Sequence, residues 1–283
     1  MIAYIFHPKF VPYLAALAPR RIVYHAYDLY HRQAAWDASR QRWEKELIDR
    51  ADGCVASSTA IARRLVSLGR REPLLLENAA DFQLFATAAQ RGDTPPELRD
   101  IPRPRIGYAG ALNRKVDFPL VDQLAGRRPD WSFVLLGKFG NLDAVTAPAV
   151  SRLRRRRNVH FFAHQPYERV PPWVAAMDVN AMWYRVGPDL WTEGGYPLKL
   201  HEYLAAGPPV VGTGLEAVMP YSDVVRVPEG STESWERAIL DALTTDTPTD
   251  RDQRQAVARR NDWKSRAEVL ESFLLGVSRD GGP

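Results

Sequence analysis

Short apolar runs alternate with amphipathic stretches along most of this chain, and the alternation predicts strands followed by helices. Near-continuous apolar strands are typical of a parallel sheet that is covered on both faces. The sequence therefore predicts an α/β fold in which helices pack on both sides of parallel sheets. The predicted strands cover Arg21–Tyr27, Gly53–Ser57, Pro73–Glu77, Arg105–Ala111, Trp131–Gly137, Val159–Ala163, Val179–Tyr184, Pro209–Thr213 and Val224–Pro228.

Helical spacing of apolar residues is clearest in three segments. They are "WDASRQRWEKELIDRA", "TAIARRLVSLG", which ends at Gly69, and the final "DWKSRAEVLESFLLGV". Each carries an apolar stripe that another element must cover. Residues 1–20 predict a buried strand and a helix rather than a signal peptide, because they lack a basic leading segment.

Proline and charge interrupt the apolar rhythm from Asn78 to Pro104, which is typical of a linker. We therefore predict a partial Rossmann-like unit over 1–85, a linker over 86–104 and a second Rossmann-like unit over 105–250. Residues 251–283 are predicted to form a C-terminal helical segment that packs back on the N-terminal unit. That first unit is short, since a typical domain has roughly 100–150 residues.

The composition is that of an ordinary globular protein, with 45% apolar and 25% charged residues among 283. No apolar run is long enough to span a bilayer. Cys54 is the only cysteine, so neither a disulfide framework nor a cysteine-ligated zinc site can form within one chain. These features fit a reducing, cytoplasmic location.

The net charge of +4 is unevenly distributed, because five arginines lie in the run "RLRRRRN" from Arg152 to Asn158. Such a run could meet nucleic acid, an anionic membrane or another polyanion. Neither interleaved aromatic residues nor a nucleic-acid-binding motif accompanies it. We therefore favour a solvated helix end whose arginines interact with the helix dipole, and nucleic acid is not an expected partner.

The stretch "TEGGYPLKLHEYLAAGPPVVGT", Thr192–Thr213, combines charged residues with a glycine turn, a short helix and an apolar strand. Proline suits the first turn of a helix and glycine its C-terminal end, so the helix is predicted over Pro197–Ala206, before Gly207. Gly194 and Gly195 lie just before it. Their N–H groups, at the positive end of the helix dipole, predict an anion site, most simply for a phosphate.

Charged residues flank this predicted phosphate site. Lys199 could neutralise a phosphate, whereas Glu193 and Glu202 would repel one and suit hydroxyl groups better. A nucleotide sugar, with a diphosphate between two sugars, satisfies all three groups. Alternatively, Lys199 and Glu202 form a surface ion pair worth about 0.3 kcal/mol, and Glu-Gly-Gly is a plain turn. This stretch alone leaves the two interpretations equal.

The segment "PLKLHEYLAAGPPVV" resembles the signature of nucleotide-sugar glycosyltransferases with the GT-B fold, in particular the retaining group that acts in polysaccharide and glycolipid assembly. Further segments resemble this family in the same order along nearly the whole chain; they are "ADGCVASSTAIARRL", "LLLENAADFQLF", "PRIGYAGALNRKVDFPLVDQLAGRRPDWSFVLLG", "NVHFFAHQPYERVPPWVAAMDV" and "NDWKSRAEVLESFL". The turn Asn78–Asp81 lacks the family's usual glycine. Eight residues separate Glu193 from Glu202, one more than the family commonly has.

The resemblance implies an enzyme that transfers a sugar from a nucleotide-sugar donor to a glycan or lipid-linked acceptor, with retention and without a metal or other cofactor. It also implies an acceptor-side N-terminal unit and a donor-binding second unit. The family's opening strand and glycine-rich loop are expected to precede Met1, which would leave the N-terminal unit incomplete. Asp250–Asp252, an Asp-x-Asp sequence, is discounted as a metal site because it lies in a polar break between predicted helices.

The resemblance also implies roles for individual residues. Those implied in donor binding are Gly110, Arg114, Lys115, Gly137, Lys138, Gly194, Gly195, Lys199 and Glu202. Glu202 would bind the donor ribose, and Glu193 would stand near the transferred sugar. Gly137 and Lys138 would lie by the base, and the other basic residues would meet the diphosphate.

Two residues of the first unit join Glu193 as candidate catalytic residues. His25 and Asp28 come at the end of a predicted strand, at the sheet edge where ligands bind in open α/β folds. They are candidates for acceptor binding or acid–base work. An equal alternative is that Tyr24–Tyr30 only packs and forms hydrogen bonds.

Basic and aromatic residues near the start could touch an anionic membrane that carries a lipid-linked acceptor; they are Lys9, Phe10, Tyr13, Arg20 and Arg21. We expect instead that the aromatic side chains among them are buried in the core. The location predicted is the cytoplasm, with the inner face of the membrane as a further possibility.

Two other functions are compatible with the sequence. The chain could be a truncated or non-catalytic, nucleotide-binding remnant of such an enzyme, or a nucleotide-sugar epimerase, which shares the fold. We favour the epimerase less, because its acid–base groups would have to surround the donor sugar and only Glu193 is near by sequence. Formation of a transfer product separates an active transferase from a remnant.

Overall fold

The computed structural model describes residues 1–32, 36–70, 72–187, 190, 192 and 194–279. Its strands are β1 (Ile2–Ile5), β2 (Arg21–Ala26), β3 (Gly53–Ala56), β4 (Leu74–Leu75), β5 (Arg105–Ala109), β6 (Ser132–Leu136), β7 (Val159–Phe162), β8 (Val179–Met182) and β9 (Val210–Gly212). Its helices are α1 (Leu14–Leu17), α2 (Ala38–Arg50), α3 (Thr59–Ser67), α4 (Phe82–Arg91), α5 (Phe118–Arg127), α6 (Thr146–Leu153), α7 (Val170–Ala175), α8 (Lys199–Ala206), α9 (Thr232–Thr245), α10 (Pro248–Arg260) and α11 (Trp263–Arg279). The predicted α/β class is confirmed, because both sheets are parallel and helices alternate with the strands.

The chain divides into two compact units. The first contains Met1–Asn78, Glu193–Tyr196 and Lys264–Pro283, and the second contains Ala79–Thr192 and Pro197–Trp263. These boundaries differ from the sequence prediction at 85, at 104 and at 250. The physical reasons are a buried arginine, Arg105, directly after the supposed linker, and the division of the last two helices between the units.

The sheet of the first unit has the order β1-β2-β3-β4, with all pairs parallel. One face packs against α2 and α3, whose N-termini are capped by Asp37 and Ser58. Residues of α11 cover the other face, where Phe273 and its neighbours pack on Val23 and Val55. A Cβ atom at Gly53 would lie only 2.7 Å from the Phe273 ring, so this glycine permits the close approach of α11.

The sheet of the second unit has the order β7-β6-β5-β8-β9, again all parallel. From β5, the next two strands β6 and β7 are added one after the other on the same side of the sheet. The chain then crosses back and places β8 on the other side of β5. The topological switch point therefore lies between β5 and β8. The predicted strand Val224–Pro228 reduces to one bridging pair, Val211 with Arg226, because the N–H groups of Val224 and Val225 are used in a turn that returns to Tyr221.

Both faces of this second sheet are covered. Helices α5, α6 and α9 enclose a core around Trp131, Phe133 and Trp183 on one face. On the other face, Val134 and Leu136 of β6 pack against Trp173 at α7. Side chains that alternate along β6 thus enter opposite cores, as expected for a strand buried on both sides.

The stretch predicted as a linker, 86–104, is instead an integral part of the second unit. Helix α4 begins at the cap Asp81 and buries Phe85 completely. Beyond it, Leu98 is fully buried, and the Arg105 side chain donates hydrogen bonds to the carbonyl groups of Leu98 and Ile101. A few apolar anchors and one buried guanidinium thus hold a segment whose sequence is rich in proline and charge.

Residues 251–283 do not form one segment, because their helices belong to different units. Helix α10 belongs to the second unit, where the Arg254 guanidinium is buried. It donates two hydrogen bonds, of 2.7 and 2.8 Å, to the Asp246 carboxylate and one of 2.8 Å to the Gly207 carbonyl at the end of α8. Nearly all of α11 lies in the first unit. In the part of the chain that the structure describes, no helix combines the length and apolarity needed to cross a membrane.

Candidate functional site

The carboxyl ends of β5 and β8 mark the place where the second unit is built to bind a ligand. In open α/β sheets the ligand crevice lies at the topological switch point, where neighbouring strands diverge. The divergence is visible at Ala109, the last residue of β5. Its backbone N–H donates to the Tyr203 hydroxyl of α8, at 2.8 Å, rather than to β8. The next residue, Gly110, and the start of α8 at Lys199 therefore lie beside this crevice.

Helix α8 carries the most conspicuous charges of the site. It is the helix predicted over Pro197–Ala206, although its first residue is Lys199, and it ends as predicted at Gly207, whose φ is 95°. The Lys199 ammonium donates to the Tyr184 hydroxyl, at 3.0 Å, and lies 4.7 Å from the centre of the Tyr108 ring. Stacking over aromatic faces is a favourable environment for a cation.

The protonation of Lys199 is set by its aromatic neighbours. Burial alone would lower the pKa of the ammonium, but the hydroxyls of Tyr108, Tyr184 and Tyr203 outweigh it and the pKa lies well above its usual value. Burial raises the pKa of Tyr108 to about 12. In the described part of the chain, Lys199 has no ion pair with a carboxylate. Its positive charge is therefore available to an anion.

Two glycines bring the ends of β5 and β6 unusually close. Gly110 has a φ of 147° and Gly137 a φ of 152°, values that side chains strongly disfavour. A Cβ atom at Gly137 would lie 1.9 Å from the Gly110 carbonyl oxygen, and one at Gly110 would lie 2.9 Å from Lys199 Nζ. The structure thus brings Gly110, Gly137 and Lys199 together, with backbone rather than side chains at the sheet edge.

Glu202 lies one turn beyond Lys199 on the same helix and is partly buried. Burial raises the pKa of its carboxyl, while the charge of Lys199 and the Tyr167 side chain act in the opposite direction. The two charged residues therefore act on each other, and Lys199 also has a tyrosine partner from another element, Tyr184. They are more than a solvated surface ion pair.

The remaining basic candidates lie in the loops that follow β5 and β6. Arg114 and Lys138 are exposed, and Lys115 is partly buried. The backbone carbonyls of Arg114 and Lys115 accept hydrogen bonds from Arg185, at 3.1 and 3.0 Å. Arg185 in turn donates to Asp143 at 2.6 Å and holds the pKa of that carboxyl far below its usual range. This network fixes the backbone of the Arg114–Lys115 loop.

In the first unit, His25 lies near the carboxyl end of β2. Its Nδ1 atom is 2.8 Å from the Tyr4 hydroxyl, and its Nε2 atom is buried without a hydrogen-bond partner in the described residues. Burial lowers the pKa of His25 to about 4, so the imidazole is neutral at physiological pH. The Asp28 carboxylate accepts a hydrogen bond from the Leu29 N–H at 2.8 Å.

The glycine turn of the motif belongs to the first unit. The Gly194 carbonyl accepts a hydrogen bond of 2.7 Å from the Ser58 hydroxyl, and a Cβ atom at Gly194 would lie 2.3 Å from the Leu29 side chain. Gly195 is partly buried. Glu193 lies outside the described residues. The roles implied for Glu193, Gly194 and Gly195 stay predictions.

The aromatic residues near the start are not in the core, so the expectation of burial was wrong for them. Phe10 is 43% and Tyr13 62% exposed. They lie on the short 3-10 helix Pro8–Tyr13, which turns Pro8 and Val11 inward. This helix cannot bury both of its sides, and the larger aromatic side chains remain on the outer one.

The arginine run Arg152–Asn158 is largely used within the second unit. Arg152 and Arg156 both bind the buried Asp122 carboxylate, and the Arg154 guanidinium lies 4.7 Å from the centre of the Phe139 ring. These contacts favour the structural interpretation of the run. Among the described residues, no group of three His, Cys, Asp or Glu side chains is placed to hold a metal ion.

Sequence reasoning missed the tyrosines of the site, Tyr108, Tyr167 and Tyr184. Tyr108 lies within the predicted strand Arg105–Ala111, and Tyr184 is the last residue of the predicted strand Val179–Tyr184. The polar tip that each ring adds to a predicted strand was the available signal. Tyr167 lies in a proline-containing loop and gave none.

The two parallel α/β units, with a cationic crevice at the switch point of the second, define a Rossmann-like ligand-binding protein. A model of the family described as "Glycosyl transferases group 1" matches residues 103–245, about half of the chain. The chain belongs to this family, and the resemblance inferred from its motifs is confirmed.

A relative from Bacillus subtilis (strain 168), assigned to teichuronic acid biosynthesis as the glycosyltransferase TuaH, is 29% identical over 234 residues. The match covers 78% of this chain and 56% of that protein. The chain thus spans about half the length of this curated relative.

Solved structures share the fold at low sequence identity. Anabaena Alr3699/HepE in complex with UDP has a TM-score of 0.75 and 17% identity, over 97% of this chain and 78% of that one. HepE in complex with UDP-glucose has a TM-score of 0.70 and 19% identity, over 96% and 78%. A UDP-forming α,α-trehalose-phosphate synthase from Burkholderia xenovorans has a TM-score of 0.75 and 14% identity, over 98% and 74%.

Proposed function

We propose that the second unit binds the nucleoside diphosphate of a sugar donor, and that the protein transfers the sugar with retention to a glycan or lipid-linked acceptor. The observation that carries the proposal is Lys199, a cation held by tyrosines at the switch point without a carboxylate ion pair in the described residues. We propose UDP as the nucleotide, because HepE, with the same fold, was crystallised with UDP and UDP-glucose.

Lys199 would neutralise the leaving diphosphate, assisted by Arg114 and Lys115 in the neighbouring loop. Such charge stabilisation accelerates a reaction when it is aimed at the group on which charge develops. It needs no metal ion, and we propose a reaction that uses none. Glu202 would accept hydrogen bonds from the ribose hydroxyls.

The glycines at the ends of β5 and β6 would allow the nucleotide to approach the backbone. At Gly110 and Gly137 a side chain would occupy the space in which backbone and ligand meet. Lys138, exposed beside Gly137, would lie near the base. These roles rest on the position of both glycines at the carboxyl edge of the sheet.

We propose roles in the transfer step for His25, Asp28 and Glu193. His25 is neutral and keeps one ring nitrogen without a partner in the described residues, as a group that binds a sugar hydroxyl requires. Asp28 would bind the acceptor, and Glu193 would contact the transferred sugar. Gly194 and Gly195 would lend their N–H groups to the donor.

Calorimetric titration with UDP, GDP, ADP and dTDP tests the donor site. We expect selective binding of UDP, and we expect Glu202→Gln to weaken it by at least about tenfold, since a hydrogen bond to a charged group contributes about 1.5–3 kcal/mol. Glu168→Gln is the matched control, because Glu168 is exposed on the neighbouring 3-10 helix Tyr167–Arg169. It should bind UDP as the unmodified chain does.

Failure of the folded chain to bind any of the four nucleotides would overturn the proposal. Equal loss in Glu202→Gln and Glu168→Gln would remove the specific role of Glu202. Binding of UDP without product formation from UDP-sugars and candidate acceptors would favour the nucleotide-binding remnant over the transferase. The anomeric configuration of a product, read by NMR, tests retention.

We propose that the protein meets its acceptor at the inner face of the membrane. The surface formed by Lys9, Phe10, Tyr13 and Leu17 combines exposed apolar side chains with a positive charge, and Lys9 lies 5.1 Å from the centre of the Phe10 ring. Aromatic and basic residues together favour the interface of an anionic bilayer. A lipid-linked acceptor would be presented at the same interface.

A further inference from the structure

Thr213 directly follows β9, at the point where the ladder between β8 and β9 stops. The two strands are paired as far as Met182 with Gly212. Beyond that pair a side-chain oxygen serves as the acceptor, because the Tyr184 N–H donates to Thr213 Oγ1 at 2.9 Å. The proton of the same hydroxyl faces the carbonyl groups of Met182 and Tyr184, at 3.1 and 3.0 Å. One threonine hydroxyl thus contacts both backbone polar groups of Tyr184.

The side chain of Tyr184 extends from this backbone to the charge of the site. Tyr184 is buried, and its hydroxyl accepts a hydrogen bond of 3.0 Å from Lys199 Nζ. The same ammonium lies 5.4 Å from the centre of the Tyr184 ring. On its other side, the Tyr184 backbone is bridged to Val116 of the loop after β5. The place of the Lys199 ammonium therefore depends, through Tyr184, on Thr213.

We propose that Thr213 is a positioning residue of the diphosphate site: its hydroxyl fixes the backbone of Tyr184, and the Tyr184 hydroxyl in turn directs the Lys199 ammonium toward the crevice. The inference rests on the proposed function, in which Lys199 neutralises the diphosphate. An ammonium has three N–H donors. When a fixed hydroxyl holds one of them, the other two keep their directions, and less side-chain entropy is lost when an anion binds.

Competition binding with UDP and with uridine separates the diphosphate from the nucleoside. Thr213→Val keeps nearly the shape of threonine and removes the hydroxyl. It should weaken UDP binding by about fivefold, the effect of one lost hydrogen bond. Uridine binding should stay unchanged, because the proposed partner of Lys199 is the diphosphate. Thr213→Ser, which keeps the hydroxyl, should restore the affinity for UDP.

A second pair of variants serves if valine disturbs the fold, which thermal unfolding detects. Thr213→Ala and Thr213→Ser both lack the methyl group and differ only in the hydroxyl. Alanine should bind UDP about fivefold more weakly than serine does. Thr244→Val is the matched control, since the exposed Thr244 hydroxyl also donates to a backbone carbonyl, that of Leu240 in α9, at 2.9 Å. It should change the affinity for neither ligand.

A double-mutant cycle tests whether Thr213 acts through Lys199. Two substitutions have additive effects when the residues act independently, and non-additive effects when one residue acts through the other. Thr213→Val should therefore cause no further loss of UDP affinity in a chain that already carries Lys199→Met. The same should hold in a chain with Tyr184→Phe, which removes the hydroxyl between them.

The outcomes distinguish the positioning role from the proposed function. Equal losses for UDP and uridine, or an undiminished affinity for UDP, in Thr213→Val would overturn the positioning role. So would a serine variant no better than alanine, or an additive loss in the Lys199→Met chain. Each of these results leaves the proposed function intact. If the unmodified chain binds UDP no better than uridine, the proposed diphosphate site itself fails.

Discussion

A lysine that is taken out of water needs another source of stabilisation for its charge. Lys199 obtains it from the Tyr184 hydroxyl and from the faces of Tyr108 and Tyr184. Tyrosines stabilise the cation without neutralising it, because the burial of Tyr108 keeps its hydroxyl protonated. The result is a positive charge in a fixed place, which attracts a diphosphate more strongly than a mobile surface lysine would.

Substitution Lys199→Met should separate diphosphate binding from nucleoside binding. Methionine has a similar volume and no charge, so the packing on the tyrosine rings is largely kept. We expect UDP affinity to fall by about 10- to 100-fold, the value of a charge-assisted contact. Uridine affinity should change little, and competition binding measures both.

Lys45→Met is a suitable control, since Lys45 pairs with Asp49 on the exposed face of α2. It should bind UDP normally. Unaltered UDP binding by Lys199→Met would show that the ammonium serves only to hold Tyr184.

The sequence could predict the charges of the site but not their surroundings. Lys199 and Glu202 are three positions apart, and helical geometry alone makes them neighbours. Tyr108, Tyr167 and Tyr184 reach them from other strands and loops. Such contacts depend on the final packing of distant segments, which no local pattern contains.

At the level of elements, the site depends on how closely the ends of β5 and β6 approach. Gly137→Ala would place a methyl group against the Gly110 carbonyl and would also strain the backbone at a φ of 152°. We expect a loss of about 1–3 kcal/mol of unfolding free energy and the loss of nucleotide binding. Thermal unfolding and calorimetry measure the two effects.

Gly276→Ala is the matched control for that substitution. Gly276 lies in α11, and a Cβ atom there would meet no atom within 4 Å. Alanine should stabilise the helix by about 0.5–1 kcal/mol and leave nucleotide binding unchanged. A stable Gly137→Ala protein that still binds UDP would contradict the proposed close approach of ligand and backbone.

The elements that the sequence predicted well are those whose own side chains define them. The apolar runs of β5 and β6 predict these strands directly, and Gly207 marks the end of α8. The stretch 86–104 is anchored by a few buried residues, among them Leu98, and by hydrogen bonds that the Arg105 side chain donates back to it. The sequence prediction missed the stretch because these anchors are few. Proline-rich composition gives no sign of such anchors.

For the whole molecule, the Lys9–Leu17 surface predicts binding to anionic membranes. In sedimentation with vesicles we expect the protein to bind phosphatidylglycerol and not phosphatidylcholine, and to be released by salt, which screens the basic residues. The double substitution Phe10→Ser, Tyr13→Ser should abolish binding, because it removes the exposed aromatic rings.

Val66→Ser serves as the control, because Val66 is an exposed apolar residue of α3 in the same unit. It should sediment with anionic vesicles as the unmodified protein does. Equal binding to both lipids, or binding that the double substitution leaves intact, would refute the membrane surface.

Helix α11 covers the sheet of the first unit but is synthesised long after the strands of that sheet. The strands of that unit leave the ribosome before the second unit, but the helix that covers Val23 and Val55 leaves after it. At translation rates of about 5–20 residues per second, roughly 10–40 s pass between the synthesis of the sheet and that of α11, which covers it. One apolar face is exposed throughout that interval. The nascent chain should therefore depend on chaperones that shield hydrophobic surface until α11 has left the ribosome.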